Sequence, residues 1–202
     1  MKERLIIFTR YPEPGKAKTR LIPVLGAVGA ANLHRQLTEH TLSKVKELQS
    51  FRPLSVEVYF AGNNPQLMKD WLGSDIVYQP QSEGDLGCRM AEAFRSAFTS
   101  GSDSVIIIGT DCPGLDAQLI GEAFEKLASH NLVLGPATDG GYYLIGLRRL
   151  IEELFVGIPW GTSEVWQQTV EIAERMGIAI ASLPPLSDID RPEDLSILDF
   201  EF

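Results

Sequence analysis

The chain has 202 residues, 44% hydrophobic and 22% charged, with 18 basic against 27 acidic side chains and a formal charge of −9. That length suits one domain with a sizeable core, and residues 1–202 read as a single unit with no linker, repeat or low-complexity tract. The acidic balance argues against a general nucleic-acid binder, which needs surplus Lys and Arg to displace counterions, and against an anionic membrane surface.

The first strand candidate is the apolar run LIIF, Leu5 to Phe8. Its context, MKERLIIFTR, is too short for a signal-peptide core, and no stretch approaches the ~18 apolar residues of a membrane span. A cytoplasmic protein without membrane insertion is expected. The run leads into TRYPEPGKAKTR, residues 9–20, which holds four of the 18 basic residues: Arg10, Lys16, Lys18 and Arg20. A strand feeding a Gly-containing loop is where α/β folds bind phosphates. The GxxxxGK[ST] pattern fails at Arg10 and Ala17, and GxGxxG is absent. What remains is a loop stiffened by Pro12 and Pro14 and turned at Gly15. If extended, it would project Lys16, Lys18 and Arg20 to one side as a clamp for a polyphosphate. A solvated basic loop is the plain alternative; the position directly after the first core strand favours the clamp.

Leu33, Leu37, Val45 and Leu48 then recur at helical spacing. His34 and His40 sit six apart on that helix and share no face. LSVEVYF, residues 54–60, alternates as a strand with Val56, Val58 and Phe60 on one side. In QSEGDLGCRM, residues 81–90, Gly84 and Gly87 bracket Asp85 ahead of a helix marked by Met90, Phe94, Ala97 and Phe98; Asp85 is taken as a nucleotide-side residue.

VIIIGTDCPGL, residues 105–115, delivers Asp111 to the carboxyl edge of a buried strand. A carboxylate there suits Mg²⁺ or Mn²⁺, which favour hard oxygen ligands shared with substrate phosphates. Capping a turn is the other role open to it. Asp116 is better placed to cap the next helix, patterned by Leu119, Ile120, Ala123, Phe124 and Leu127. NLVLG and YYLIGL follow as strands joined through Asp139-Gly140-Gly141, a link too short for a helical crossover, so antiparallel pairing is expected there. The glycine pair lets backbone approach a ligand, and Asp-Gly equally marks a hairpin turn.

GIPWGTSEVW, residues 157–166, places Trp160 before a helix marked by Val165, Trp166, Thr169, Val170 and Ala173. Trp160 could stack on a sugar or base, or fill the core. After the strand IAIASL comes LSDIDRPEDL, where Asp188 and Asp190 alternate and would face one way if extended, while Pro192-Glu193-Asp194 resembles a helix start. Cys88 and Cys112 form no CxxC and, with three histidines, make no zinc site; free thiols are expected. There is no GxSxG, and no histidine lies near Cys112 in sequence, so covalent catalysis is disfavoured. Strands and helices alternate from end to end. This predicts a three-layer α/β/α sandwich with a mixed, mostly parallel central sheet.

Six segments, FTRYPEPGKAKTRL, EGDLGCRM, IIIGTDCPGL, ATDGGYYLIGL, PWGTSEVW and DIDRPEDL, run in order from residue 8 to 195. Together they resemble the GT-A-fold nucleotide-diphospho-sugar transferase superfamily, and within it a bacterial glycosyltransferase-like (DUF2064, or selenodomain-associated transferase) group. The resemblance implies that the first loop binds a nucleotide di- or triphosphate through Arg10, Lys16, Lys18 and Arg20. It implies Mg²⁺ or Mn²⁺ at Asp111 with Asp190 as second ligand, Asp188 being the alternative. It implies an acceptor side at Asp139, Gly140 and Gly141, with Trp160 nearby. Two departures stand out. Related nucleotidyltransferases open with an Ala-Gly-Gly-type loop where this chain has TRYPEPG, and well-studied GT-A glycosyltransferases carry a DxD where it has TDCP. The expected function is metal-dependent glycosyl transfer from a nucleotide-activated sugar, with Asp111 and Asp139 catalytic. Nucleotidyl transfer from an NTP to a phosphorylated acceptor is the alternative, a non-catalytic nucleotide-binding module the third. A homo-oligomer is left open.

Overall fold

The computed structural model describes residues 2–62 and 64–200. In chain order the elements are β1 (Glu3–Arg10), α1 (Ile22–Phe51), β2 (Ser55–Ala61), α2 (Pro65–Leu72), β3 (Val77–Pro80), α3 (Leu86–Thr99), β4 (Ser104–Ile108), α4 (Ala117–Leu127), β5 (Leu132–Pro136), β6 (Tyr142–Leu147), α5 (Val165–Arg175) and β7 (Ile180–Ser182). The seven strands form one sheet in the order β3-β2-β1-β4-β6-β5-β7. Only β6 runs against its neighbours, pairing antiparallel with both β4 and β5. The mixed, mostly parallel sheet and the antiparallel pairing of NLVLG with YYLIGL are as the sequence led us to expect.

The continuous apolar runs are central strands covered on both faces. Leu5, Ile7, Ile106 and Ile108 pack with Val45 and Leu48 of α1 and with Ile120 and Phe124 of α4. On the opposite face Ile6, Val105 and Ile107 meet Met90 and Phe94 of α3 and Ala173 of α5. Period-two alternation therefore splits each run between two cores, giving helix, sheet and helix layers. A smaller cluster of Leu21, Ala30, Leu33, Leu37 and Ile189 lies at one end of α1.

Two elements were not foreseen. α2 spans eight residues and β3 only four, too short for a periodic pattern to stand out. Asn64 starts α2, its side chain accepting the N–H groups of Gln66 and Leu67. The final segment, Pro192–Phe200, is a 3₁₀ helix.

With all strands but β6 parallel, the carboxyl ends of β1, β2, β4 and β5 and the amino end of β6 share one rim. The order of winding reverses between the parallel strands β1 and β4, since β2 lies on one side of that pair and β6 on the other. The crevice at such a switch point is where open α/β sheets bind ligands.

Candidate functional site

The rim carries a cleft of about 430 Å³ whose walls include Thr9, Arg10, Gly109 to Cys112, Asp139, Gly141, Tyr142, Trp160 and Asp188. Beside it lies a recess of about 350 Å³, lined by Lys16, Lys18, Thr19, Arg20 and Asp190. Arg10, His34 and Asp111 border both, so the two are one continuous surface, mostly acidic on one side and basic on the other.

The basic side differs from the extended clamp that alternation suggested. Glu13 accepts the N–H groups of Lys16 and Ala17, closing a turn, and Lys18 adopts a left-handed backbone (φ 47, ψ 46) before a 3₁₀ turn over Thr19–Leu21. Buried Ala17 and Leu21 flank it. The three cations therefore point differently. Lys16 is exposed and pairs with Glu13 at 3.0 Å. Lys18 is buried, with its side chain 3% exposed, and its ammonium lies 2.6 Å from Asp111 Oδ1 and 3.9 Å from Asp190 Oδ1. It also donates to the carbonyl of Ile189. Arg20 pairs with Asp190 through Oδ2. Arg10 donates to the Lys16 carbonyl at 2.9 Å and braces the loop.

Asp111 follows β4 and is half exposed. It caps no helix; Asp116 does, accepting the Leu119 N–H at 2.8 Å. Asp188 faces the cleft with Asp139 and makes no ion pair among the described residues. Burial, and next the neighbouring Asp139 carboxylate, push the Asp188 carboxyl up to about 6. Asp190 faces the recess instead. Asp194 reaches back to accept the N–H groups of Asp190 and Arg191, which fixes this acidic segment.

On the far wall Asp139 Oδ1 accepts the Gly141 N–H at 2.8 Å. Gly141 borders the cleft, whereas Gly140 turns away. Its φ is +92, and a Cβ there would sit 2.3 Å from the carbonyl oxygen of Ser163. Gly140 thus permits packing against the loop before α5, and its carbonyl accepts the Trp166 N–H at 2.8 Å. Trp160 is partly core and partly cleft wall, edge-on to Tyr142 with ring centroids 6.3 Å apart. A Cβ on Gly87 would lie 2.6 Å from the Trp160 ring nitrogen, so that glycine seats the indole.

Asp85 lines neither cavity. It is the exposed N-cap of α3, accepting the Cys88 N–H at 2.8 Å. Capping is the role the geometry shows for this residue, which was expected on the nucleotide side. From the same motif Arg89 borders the cleft and holds Gln81 Oε1 at 3.0 Å. His34, which shares no helix face with His40, borders both cavities. Its Nε2 lies 3.0 Å from the Arg10 carbonyl and 3.4 Å from Thr9 Oγ1; since a carbonyl only accepts, Nε2 carries the proton. Burial lowers its pKa, leaving the ring neutral. Its sequence signal was a polar residue inside the buried stripe of α1. Cys88 and Cys112 are free, and burial, aided by the Asp188 and Asp111 carboxylates, raises the Cys112 thiol well above its ordinary value. That thiol is a poor nucleophile.

Among the described residues no group of three or more His, Cys, Asp or Glu side chains converges closely enough to hold an ion alone. The donor set still fits Mg²⁺ or Mn²⁺, because hard carboxylate oxygens at a nucleotide site commonly supply one or two ligands while phosphates and water supply the rest. No helix among the described residues is long and apolar enough to cross a membrane.

A family model described as an uncharacterized protein conserved in bacteria (DUF2064) matches residues 44–162. A solved structure from Desulfovibrio desulfuricans G20, named for a nucleotide-diphospho-sugar transferase, is 35% identical, with TM-score 0.88 over 98% of this chain and 87% of that one. A phosphoenolpyruvate guanylyltransferase from Chloroflexus aggregans is 21% identical over 120 residues, 59% of each protein's length. A glucosyl-3-phosphoglycerate synthase from Mycobacterium tuberculosis, solved with Mg²⁺ and uridine diphosphate, shares the fold at TM-score 0.59 and 13% identity, over 96% of this chain and 74% of that one. The fold is that of nucleotide-diphospho-sugar transferases.

Proposed function

The chain belongs to the DUF2064 family, and from that premise we propose that it is a metal-dependent transferase taking a glycosyl group from a nucleotide-diphospho-sugar. One observation carries the reading: a basic recess and an acidic cleft meet at the Lys18–Asp111 ion pair, at the switch point of the sheet. The donor diphosphate lies in the recess against Arg10, Lys16 and Arg20, which counter the charge that grows on the leaving nucleotide. Asp111 with Asp188, or with Asp190, would hold the divalent ion, which would supply neutralisation of the diphosphate. Asp188 is the better free ligand, because both oxygens of Asp190 already face cations.

The sugar occupies the wider cleft, between Asp139 and the apolar wall of Tyr142 and Trp160. Asp139 spends one oxygen on Gly141 and keeps the other for the acceptor hydroxyl. The acceptor oxygen bonds to the anomeric carbon as the carbon–phosphate oxygen bond breaks, and Asp139 takes the hydroxyl proton.

The guanylyltransferase relative favours a second reading, nucleotidyl transfer, in which an acceptor phosphate attacks the α-phosphorus of an NTP and pyrophosphate leaves. Thermal stabilisation by NTPs, NDPs and NDP-sugars, each with EDTA, Mg²⁺ or Mn²⁺, separates the readings. Metal-dependent stabilisation by an NDP-sugar supports glycosyl transfer. NTP preference with pyrophosphate release supports the second reading, and no response to any nucleotide refutes both.

A further inference from the structure

We propose that Lys18 is a tethered internal cation occupying a cation position between Asp111 and Asp190, so that the site takes a single divalent ion, on the Asp188 side. The inference rests on the reading of this site as one for a nucleotide and a divalent ion.

The ammonium is surrounded as a bound cation would be. It hydrogen-bonds to Asp111 Oδ1 at 2.6 Å and to the Ile189 carbonyl, and stands 3.9 Å from Asp190 Oδ1. These three oxygens come from two distant segments, the end of β4 and the 188–190 stretch. With its side chain 3% exposed, the charge is out of water, and only such oxygens make that tolerable.

The backbone is shaped to deliver it. Lys18 is the only non-glycine residue with positive φ among the described residues, a conformation costing about 1–2 kcal/mol for a residue with a Cβ. Buried Ala17 and Leu21 pin the loop on either side, and the Lys18 carbonyl accepts the Leu21 N–H at 2.9 Å. Lys16, by contrast, keeps its ammonium largely in solvent, paired with Glu13 at 3.0 Å. Arg20 takes the outer oxygen of Asp190, so that carboxylate is neutralised from both sides. Asp188 has no cation partner of its own among the described residues. The two sides of Asp111 thus differ: one already holds a covalently attached charge, the other receives an ion.

The test uses the full chain without nucleotide. Lys18→Met keeps the side-chain length and removes the charge; Lys18→Gln, which retains a donor for the Ile189 carbonyl, serves if the first variant does not fold. Mn²⁺ is titrated, bound ions are counted from the loss of the free-ion paramagnetic resonance signal, and apparent Tm is recorded throughout. The expected result is one Mn²⁺ more per Lys18 variant chain than per wild-type chain. The variants lose Tm in EDTA and regain it with Mn²⁺, and adding Asp190→Asn removes the extra ion. A variant that binds no more Mn²⁺ than wild type, with no Tm recovery, overturns the proposal. Wild type binding none while the variant binds one leaves the tethered cation standing; the metal-dependent reading then rests on whether nucleotide stabilises wild type only with Mg²⁺ or Mn²⁺. Metal-dependent nucleotide stabilisation of wild type, with no extra ion in the variants, overturns the tethered cation and leaves that reading standing.

Discussion

The backbone N–H of Ile189 donates to the carbonyl oxygen of Asp111 at 2.9 Å. This bond stitches the late acidic segment onto the end of β4. The Ile189 side chain anchors the same point from below, fully buried among Leu21, Leu33 and Leu37. Asp188 and Asp190, on either side of that anchor, are left to face the cleft and the recess respectively.

Replacing Asp111 with Asn removes both a proposed ion ligand and the partner of the buried Lys18 ammonium. Metal-dependent stabilisation by nucleotides is expected to vanish. The protein itself loses about 1–2 kcal/mol, less than for a fully buried pair because Asp111 is half exposed. Urea unfolding gives the stability, and Tm with Mg²⁺ and nucleotide gives the binding. Unchanged metal-dependent binding removes Asp111 from the site.

Gly140→Ala meets two obstacles at once: a positive φ and a Cβ placed 2.3 Å from the Ser163 carbonyl oxygen. Backbone must move, and a cost of about 2–4 kcal/mol is expected. A urea midpoint within error of wild type refutes the packing described for this hairpin.

His34 links stability to pH. Burial lowers its pKa from the ordinary value of 6.5, so between 6.5 and the lowered value the unfolded chain binds the extra proton. The contribution is complete above pH 6.5 and is lost as pH falls through the lowered pKa. The slope cannot exceed about 1.4 kcal/mol per pH unit. His34→Gln abolishes it, so wild type should lose more stability than the variant between pH 7.5 and 5.5. Parallel loss in urea titrations at the two pH values rules this out.

The two capping aspartates separate structure from ligand binding. Asp116→Ala should cost about 1 kcal/mol as a lost N-cap. Asp85→Ala should lower the unfolding midpoint while nucleotide-induced stabilisation stays as in wild type, because Asp85 faces neither cavity. Weakened nucleotide response in Asp85→Ala returns that residue to the site.

The layers were legible in the sequence because runs such as VIII and the stripe through Leu33, Leu37, Val45 and Leu48 tie burial directly to strand or helix period. α2 and β3 were not, being too short to repeat. In the basic loop the residue types were informative but their directions were not. Alternation implies a common side only in extended chain, and the turn at Glu13 with the left-handed Lys18 breaks that condition. Asp85 and His34 are ambiguous in sequence in opposite ways. A capping carboxylate looks like a ligand in sequence, and a histidine pointing from a helix into a crevice looks like a core residue until the other strands are in place.

The single reversed strand gives the two walls of the cleft different histories. The wall proposed for the nucleotide exists only after long crossovers have brought β1 and β4 side by side, 101 residues apart at paired positions such as Leu5 and Ile106. The opposite wall, from Ala137 to Tyr143, is the tip of the β5–β6 hairpin, tied to α5 through the Gly140 carbonyl and the Trp166 N–H. Its β5–β6 pairing is local in sequence and forms at a lower loop-closure cost than the β1–β4 pairing. On the proposed reading, exchanging a handful of residues at this tip, with Gly140 held, changes the acceptor side and leaves the β1–β4 half as it is.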